Sequence, residues 1–178
     1  MRILSKMGVF ISALLSVGCA VTPPDNVKVV NNFELNRYLG SWYEIARLDH
    51  GFESGLEQVT ANYSLRDDGG VKVINRGFNP QKNKWQQSEG KGYFTGPTSR
   101  AALKVSFFGP FYGGYNVIVL DKDYQYALVC GPDKSYLWIL SRTPKLDEGV
   151  KQQLLETAQG YGFDINKLVW VNQSKAVQ

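Results

Sequence analysis

The stretch Gly40–Arg47 reads GSWYEIAR and decides how the rest of the chain is interpreted. Aromatic and β-branched residues favour a β-strand here. The strand begins with a glycine, however, and places a tryptophan two residues later. Glycine weakens the interior of a strand but permits backbone conformations that other residues avoid. The purpose of Gly40 and Trp42 therefore depends on the fold of the remaining chain.

Short runs rich in valine, isoleucine, tyrosine, phenylalanine and tryptophan recur at roughly ten-residue intervals, separated by glycine-containing turns. This spacing is typical of an all-β sandwich or barrel. The clearest hairpin joins residues 58–65 to residues 71–77 through the turn 66–70, RDDGG. Alternate residues of a strand point to the same face. One face of the first strand carries Val59, Ala61 and Tyr63, and one face of the second carries Val71, Val73 and Asn75.

Residues 40–47 and the hairpin are followed by further strand candidates, at 84–89, 90–95, 102–108, 115–120, 126–130 and 136–141. Short connections between consecutive strands predict an up-and-down meander. We expect an all-β fold with eight antiparallel strands, the number that closes a barrel wide enough to hold one small ligand.

Residues 146–159, LDEGVKQQLLETAQ, depart from the strand pattern. Apolar side chains recur there at helical spacing: Val150, Leu154, Leu155 and Ala158. Asp147 in the first turn and glycines at 160 and 162 are typical start and stop signals. The pattern predicts one C-terminal amphipathic helix packed outside the barrel, followed by a short last strand at 167–172.

The amino terminus has the features of a secretory signal. Arg2 and Lys6 precede an apolar run at 8–18, GVFISALLSVG. This run is too short to cross a bilayer, which takes about 20 residues. We therefore interpret residues 1–18 as a signal peptide.

The residues Leu15–Cys19, LSVGC, resemble the lipobox of bacterial lipoproteins, where a signal peptidase cuts before the cysteine and the thiol receives a diacylglycerol. Ser16 stands where leucine is usual, and Leu15 lies one position further back. The resemblance implies that acyl chains on Cys19 anchor the protein, since stable anchoring needs more than one chain. Ala20, in place of an aspartate, implies the outer membrane, facing the periplasm. The alternative is an ordinary secretory signal with an incidental cysteine.

Residues 19–30 are interpreted as the lipidated N-terminus and a proline-containing tether, and residues 31–174 as one barrel domain. Without residues 1–18 the chain has 18 basic and 16 acidic residues, which is too balanced to indicate nucleic-acid binding. Besides the lipidated cysteine only Cys130 remains, so we expect no intrachain disulfide.

Several of these segments together resemble the lipocalin family. The Gly-x-Trp element at 40–42 and Arg142, within 138–144 (WILSRTP), match two signature segments of that family. A third segment, a Thr-Asp-Tyr type turn, is matched loosely by residues 121–124, DKDY. The resemblance covers about residues 31–172. It implies an eight-stranded lipocalin barrel with one helix behind it.

The resemblance also implies a structural lock at the closed end of the barrel. Gly40 would permit the backbone turn into the first strand, and Trp42 would plug the floor. Arg142 would place its guanidinium over the indole, a cation–π contact worth about 0.5 to 2 kcal/mol. The alternative is that Trp42 contacts a ligand directly.

With the floor sealed, a cavity would open at the other end and be lined by alternate strand residues. Alternation and the family pattern together select eight candidate ligand-binding residues: Ala61, Tyr63, Val73, Asn75, Val105, Phe107, Trp138 and Leu140. This apolar and aromatic wall suits an acyl chain whose polar head lies near the mouth. Alternatively, the same side chains fill a closed barrel.

A catalytic function has little support in the sequence. His50, the only histidine, lies in the loop after the first strand, and no His/Cys cluster has zinc-like spacing. Cys130 is expected to be an inert buried thiol. Haem ligation would require His50 to reach inward. We expect a protein that is not an enzyme and has neither a metal nor a cofactor.

The resemblance implies a membrane-anchored lipocalin that binds, stores or transports fatty acids or lysophospholipids in the bacterial cell envelope. The alternative is a structural or partner-binding lipoprotein with a filled barrel. The aromatic run 107–115, FFGPFYGGY, either forms a rim that meets a membrane or a second subunit, or packs against the helix. The sequence leaves open a homodimer that completes the ligand site.

Overall fold

The structure, a computed structural model, describes residues 21–174. The predicted signal peptide and Cys19 lie outside these residues. Within the described range the strands are β1 (Gly40–Leu48), β2 (Glu57–Leu65), β3 (Val71–Asn79), β4 (Lys84–Phe94), β5 (Ala102–Phe108), β6 (Phe111–Leu120), β7 (Tyr126–Cys130), β8 (Leu137–Ser141) and β9 (Leu168–Trp170). The helices are α1 (Leu35–Tyr38), α2 (Glu148–Gly160) and a 3₁₀ turn at Ile165–Lys167.

Strands β1 to β8 form a closed antiparallel barrel, as the sequence predicts. Each strand pairs with the next one along the chain, and β8 returns to pair with β1. The segments 84–89 and 90–95, predicted separately, form the single strand β4, which gives eight barrel strands. The meander prediction is therefore confirmed.

The hairpin of β2 and β3 has the register that the alternation requires. Ala61 lies opposite Asn75, and Tyr63 lies opposite Val73. Directly opposed residues of an antiparallel pair point to the same side of the sheet. The two faces predicted from the sequence therefore form one continuous surface inside the barrel.

A bulge in β1 changes which of its side chains face inward. The pairing of β1 with β8 shifts register between Glu44 and Ala46, so Ile45 is an extra residue. Ile45, Ala46 and Leu48 belong to the apolar cluster outside the barrel, whereas Arg47 turns inward and bonds to Glu44. An extra residue reverses the alternation beyond it, and it brings two charged side chains of one strand together.

The helix α2 packs on the outside of the barrel. It begins at Glu148, because the Asp147 side chain accepts hydrogen bonds from the first free backbone N–H groups, those of Gly149 (2.9 Å) and Val150 (3.1 Å). Leu154 is buried by the outer apolar cluster. The predicted helix is confirmed, with its start two residues later than the pattern suggested.

Two elements differ from the sequence predictions. The helix α1 spans only four residues and was not predicted, because one turn is too short to show a helical period. The last strand, predicted at 167–172, is limited to Leu168–Trp170. It pairs with Ala46–Leu48 of β1, beyond the point where β2 leaves that strand.

The first described residues lie against β6. Val27 and Val29 are buried, and the Val30 N–H donates to the Val117 carbonyl at 2.9 Å. The Val21 carbonyl approaches Gly114 so closely that a Cβ on this glycine would lie 2.6 Å from the oxygen. Residues 21–30, interpreted as a tether, therefore pack on the barrel and start beside β6.

Candidate functional site

The floor of the barrel is formed by Trp42 and its partners. Trp42 is completely buried, and its Nε1 donates to the Tyr38 carbonyl at 2.8 Å. The Arg142 guanidinium carbon lies 3.9 Å from the centroid of the indole ring. The three residues of the expected lock are therefore in contact at the closed end. Gly40 has a φ of +92°, in the region that favours glycine.

Arg142 also binds the backbone around the floor. Its guanidinium donates to the carbonyls of Ser41 (2.9 Å), Arg37 (2.8 Å), Tyr38 (3.2 Å) and Tyr124 (3.2 Å). These carbonyls come from α1, from the start of β1 and from the segment before β7. The single side chain therefore joins three chain segments over the closed end.

Above this floor lies a cavity of about 770 Å³ that opens at the other end of the barrel. All eight residues selected from the sequence line it: Ala61, Tyr63, Val73, Asn75, Val105, Phe107, Trp138 and Leu140. The residues selected along four strands therefore line one cavity. A filled barrel, the alternative interpretation, does not leave a space of this size.

Three tyrosines close the lower part of the cavity. The Tyr115 hydroxyl lies 2.7 Å from the Tyr38 hydroxyl and 2.8 Å from the Tyr63 hydroxyl. Burial is the main reason that the pKa of each of these three phenols is raised above its ordinary value. The hydroxyls are therefore neutral and bonded to one another, and their rings form an uncharged end of the cavity. Sequence reasoning selected only Tyr63.

A charged cluster lies at the cavity wall, and Arg47 is its centre. Arg47 is fully buried and donates to Glu44 Oε1 at 2.8 Å, to Asp49 Oδ1 at 3.2 Å and to the Glu53 carbonyl at 2.8 Å. Glu44 and Glu53 both line the cavity, and Trp138 Nε1 donates to Glu53 Oε1 at 2.9 Å. Arg47 thereby holds the β1–β2 loop over the barrel.

The two glutamates of this cluster retain protons more strongly than ordinary carboxyls do. Burial raises the pKa of Glu44, and the neighbouring Glu53 charge raises it further, while Arg47 acts in the opposite direction. Burial also raises the pKa of Glu53, against the hydrogen bond from Trp138. One arginine therefore does not offset the burial of both carboxyls, and the pKa of each stays above its ordinary value.

Several wall residues were missed by sequence reasoning. Val59 shares a face with Ala61, so the alternation carried a signal for it. Glu44 lies in phase with the inward Trp42 and before the bulge, so alternation carried a signal for it as well. Glu53 had no such signal, because the long β1–β2 loop folds inward. The remaining upper wall comes mainly from loop and hairpin residues such as Phe52 and Phe111.

Neither of the two residues considered for catalysis or haem binding lines the cavity. The His50 ring stacks on Tyr136, with 4.0 Å between ring centroids, and does not line the cavity. Cys130 is fully buried in the outer apolar cluster, and burial raises the pKa of its thiol to about 12. Between residues 21 and 174, no group of three or more His, Cys, Asp or Glu residues is placed to hold a metal.

None of the helices between residues 21 and 174 combines the length and apolar character needed to cross a membrane.

Comparison with known proteins identifies the family to which this fold belongs. Residues 33–173 match the family model described as a lipocalin-like domain. The chain belongs to the lipocalin family. Members of this family are binding proteins, so membership bears out the expectation that this lipocalin is not an enzyme.

Two curated relatives are similar to this lipocalin over nearly their whole length. It is 64% identical over 174 residues to the outer membrane lipoprotein Blc of Escherichia coli strain K12, which covers 97% of this chain and 98% of the relative. It is 53% identical over 163 residues to the protein of the same name from Vibrio cholerae, covering 91% and 94% of the two chains. These names agree with the localisation expected from the sequence.

A solved structure supports the assignment of the fold. Insecticyanin from the tobacco hornworm Manduca sexta matches this lipocalin with a TM-score of 0.69 and 26% sequence identity, over 88% of each chain. The closed barrel and the external helix are therefore those of a lipocalin.

Proposed function

We propose that this lipocalin is a lipoprotein of the outer membrane, anchored through acyl chains on Cys19, that binds, stores or transports fatty acids or lysophospholipids in the cell envelope. The observation that carries the proposal is the open cavity of about 770 Å³ above a sealed floor. Its volume falls within the roughly 300 to 1,000 Å³ of typical small-molecule sites.

The composition of the wall supports an acyl chain as the buried part of the ligand. Aliphatic and aromatic residues such as Val73, Val105 and Tyr63 surround the lower half of the cavity. Transfer of each methylene from water to such a site contributes about 0.8 kcal/mol. A single-chain lipid therefore gains most of its binding energy from the tail, with its head at the mouth.

Polar groups in the wall supply a place for the head group. Glu53 lines the cavity and its carboxyl Oε1 accepts from Trp138 Nε1, whereas the Arg76 guanidinium stacks on the exposed Trp85. The buried Oδ1 of Asn75 accepts no hydrogen bond within residues 21–174. Buried acceptors are normally satisfied, so this atom fits a water molecule or a ligand donor. The Glu53 carboxyl suits the ammonium of a lysophosphatidylethanolamine head group, a group that a fatty acid lacks.

Tryptophan fluorescence tests the proposal, because only Trp138 of the four tryptophans lines the cavity. The Cys19→Ser variant would be titrated with lysophosphatidylethanolamine and with palmitate. We expect a saturable change of emission at micromolar lipid that is largely lost in Trp138→Phe. Absence of any change with either lipid would contradict the proposal.

A variant that fills the cavity tests whether the lipid binds inside the barrel, and a variant with the same substitution outside the barrel is its matched control. Val105→Trp places an indole inside the barrel, whereas Val169→Trp places one on β9, where the side chain is partly exposed. We expect Val105→Trp to lose lipid binding while its circular dichroism remains folded, and Val169→Trp to bind as before. Equal binding by both variants would mean that the lipid lies elsewhere.

A further inference from the structure

Three hydroxyl groups meet at the deep end of the cavity, and we call the residues that carry them the tyrosine triad. Tyr63 and Tyr115 line the cavity. Tyr38 lies on α1 in the floor, with its ring centroid 4.8 Å from that of Trp42. The Tyr115 oxygen is 2.7 Å from the Tyr38 oxygen and 2.8 Å from the Tyr63 oxygen. The triad is therefore a polar group in the part of the cavity that receives the end of an acyl chain.

The hydrogen bonds within the triad leave one hydroxyl hydrogen without an acceptor. Each phenol carries one hydrogen and can also accept through its oxygen. The three hydroxyls supply three hydrogens, whereas the two contacts use only two of them, whichever atom donates in each. Within residues 21–174 these hydroxyls make no other hydrogen bond. The triad therefore offers one free donor together with unused oxygen lone pairs.

The free hydrogen stays in place at neutral pH. Burial is the main cause that raises the pKa of all three phenols above the ordinary value, so each keeps its proton. Buried donors in proteins are almost always paired, because an unpaired one loses its hydrogen bonds to water without replacement. An acceptor at the deep end of the cavity would therefore stabilise the complex.

The surroundings of the triad favour an uncharged acceptor. The three tyrosines share a small pocket with apolar side chains: Phe33, Leu35, Val71, Val73, Leu103 and Val105. Among the described residues, no charged side chain lines this pocket. The Arg142 guanidinium covers the Trp42 indole and donates to backbone carbonyls. A carboxylate or phosphate placed here would be buried without a charged partner, which is unfavourable.

A hydroxyl group matches what the triad offers. Its oxygen can accept the free phenol hydrogen, and its own hydrogen can be donated to an unused lone pair of the triad. Every polar hydrogen at the deep end is then paired. A saturated chain without oxygen leaves the phenol hydrogen unpaired in the complex.

We propose that the tyrosine triad is a subsite for a hydroxyl group carried by the acyl chain of the ligand, at a carbon remote from the head group. This inference rests on the proposed function, because a head group at the mouth places the far part of the chain at the deep end. The triad thereby selects hydroxylated acyl chains among lipids that have the same head group.

Hydroxylated fatty acids test the subsite. The Cys19→Ser protein would be titrated calorimetrically with stearate and with its 10-, 12- and 18-hydroxy derivatives. The matched control ligand is 2-hydroxystearate, which has the same composition but carries its hydroxyl beside the carboxylate. We expect at least one remote hydroxy acid to bind as tightly as stearate or more tightly, because its hydroxyl is paired inside the barrel.

A double variant removes the hydroxyls that line the cavity and keeps the rings. Tyr63→Phe is combined with Tyr115→Phe, because either substitution alone would still leave an unpaired hydroxyl hydrogen. In this variant the affinity of the preferred remote hydroxy acid, relative to stearate, should fall at least about tenfold, since its hydroxyl is then buried without a partner. The affinity of 2-hydroxystearate relative to stearate should not change.

The control protein carries Tyr126→Phe and Tyr161→Phe, two substitutions beside the outer apolar cluster and outside the cavity. It should keep the ligand preference of the parent. Retained stearate binding and circular dichroism show that the triad variant is folded.

An unchanged affinity ratio between remote hydroxy acids and stearate in the triad variant would overturn the proposal. A bound water that satisfies the free hydrogen with every ligand gives that result. An equal fall for 2-hydroxystearate would also overturn it, because the effect would then be independent of the position of the hydroxyl. Failure of the proposed function differs from both, since the parent protein would then bind neither stearate nor any hydroxy acid.

Discussion

Arg142 holds the closed end of the barrel through more than its contact with Trp42. The same guanidinium covers the indole and donates to four backbone carbonyls from three segments of the chain. The planar fork of arginine can satisfy several acceptors at once, which the ammonium of lysine does not reproduce. At this position the chemistry of one residue therefore joins elements that are distant in sequence.

We expect Arg142→Ala to lower the free energy of unfolding by about 2 to 4 kcal/mol, from the lost cation–π contact and the carbonyls left without a charged donor. Arg142→Lys should give a smaller loss, because it keeps the charge. Urea denaturation measures both, with the exposed Lys145→Ala as the control. A loss in Arg142→Ala no larger than in the control would contradict the role of the lock.

The buried pair Glu44 and Glu53 should make stability depend on pH. The raised pKa means that the folded protein holds a proton that the unfolded chain releases near the ordinary glutamate pKa. The free energy of unfolding therefore falls as pH rises from about 5 to 8, by at most about 1.4 kcal/mol per pH unit for one proton.

Glu44→Gln keeps the shape and an acceptor for Arg47 but does not titrate. We expect the stability of this variant to change less between about pH 5 and 8 than that of the parent protein. Urea midpoints over this range measure the difference, with the exposed Glu89→Gln as the control. Parallel curves for Glu44→Gln and the parent would show that Glu44 is not a source of the slope.

At the residue scale, a cavity residue could be predicted from the sequence where the strand around it alternates without a bulge. Alternation in β2, β3, β5 and β8, together with the family pattern, selected eight residues that line the cavity. The charged cluster escaped prediction, because the register shift at Ile45 turns Arg47 inward. Tyr38 and Tyr115 were not selected either. Tyr38 lies on a four-residue helix outside the strand pattern.

At the scale of elements, the barrel wall separates an inner apolar cluster from an outer one. The inner cluster lies beneath the cavity, and the outer one lies under α2. The strand periodicity and the helical period of residues 146–159 were visible in the sequence because each element is long enough to repeat. The turn α1 and the pairing of β9 were not visible, because both depend on contacts with distant residues.

This separation predicts that α2 can be weakened without damage to the ligand site. Leu154→Ala removes a fully buried side chain from the outer cluster and should lower the free energy of unfolding by about 2 to 5 kcal/mol. The lipid affinity of the folded variant should stay within about twofold of the parent, since no cavity residue is changed. A large loss of affinity at full folding would show that α2 controls the cavity. The exposed Gln152→Ala is the control.

At the scale of the whole molecule, the barrel has two unlike ends. The closed end is held by Trp42, Arg142 and the short helix α1, whereas the open end carries the cavity mouth and the exposed side chains of Phe52, Phe108 and Phe111. The sequence pattern with its family resemblance was sufficient for the barrel, its helix and much of the wall. It did not indicate that the chain enters beside the open half, because this depends on the path of residues 21–30 along β6.

One lipid molecule is expected to occupy the barrel, and calorimetric titration of the Cys19→Ser protein with lysophosphatidylethanolamine below its critical micelle concentration measures this occupancy. We predict one molecule per chain, micromolar affinity and a negative change in heat capacity between two temperatures, the mark of buried apolar surface. No saturable heat for this lipid or for palmitate at any temperature would contradict a lipid site inside the barrel.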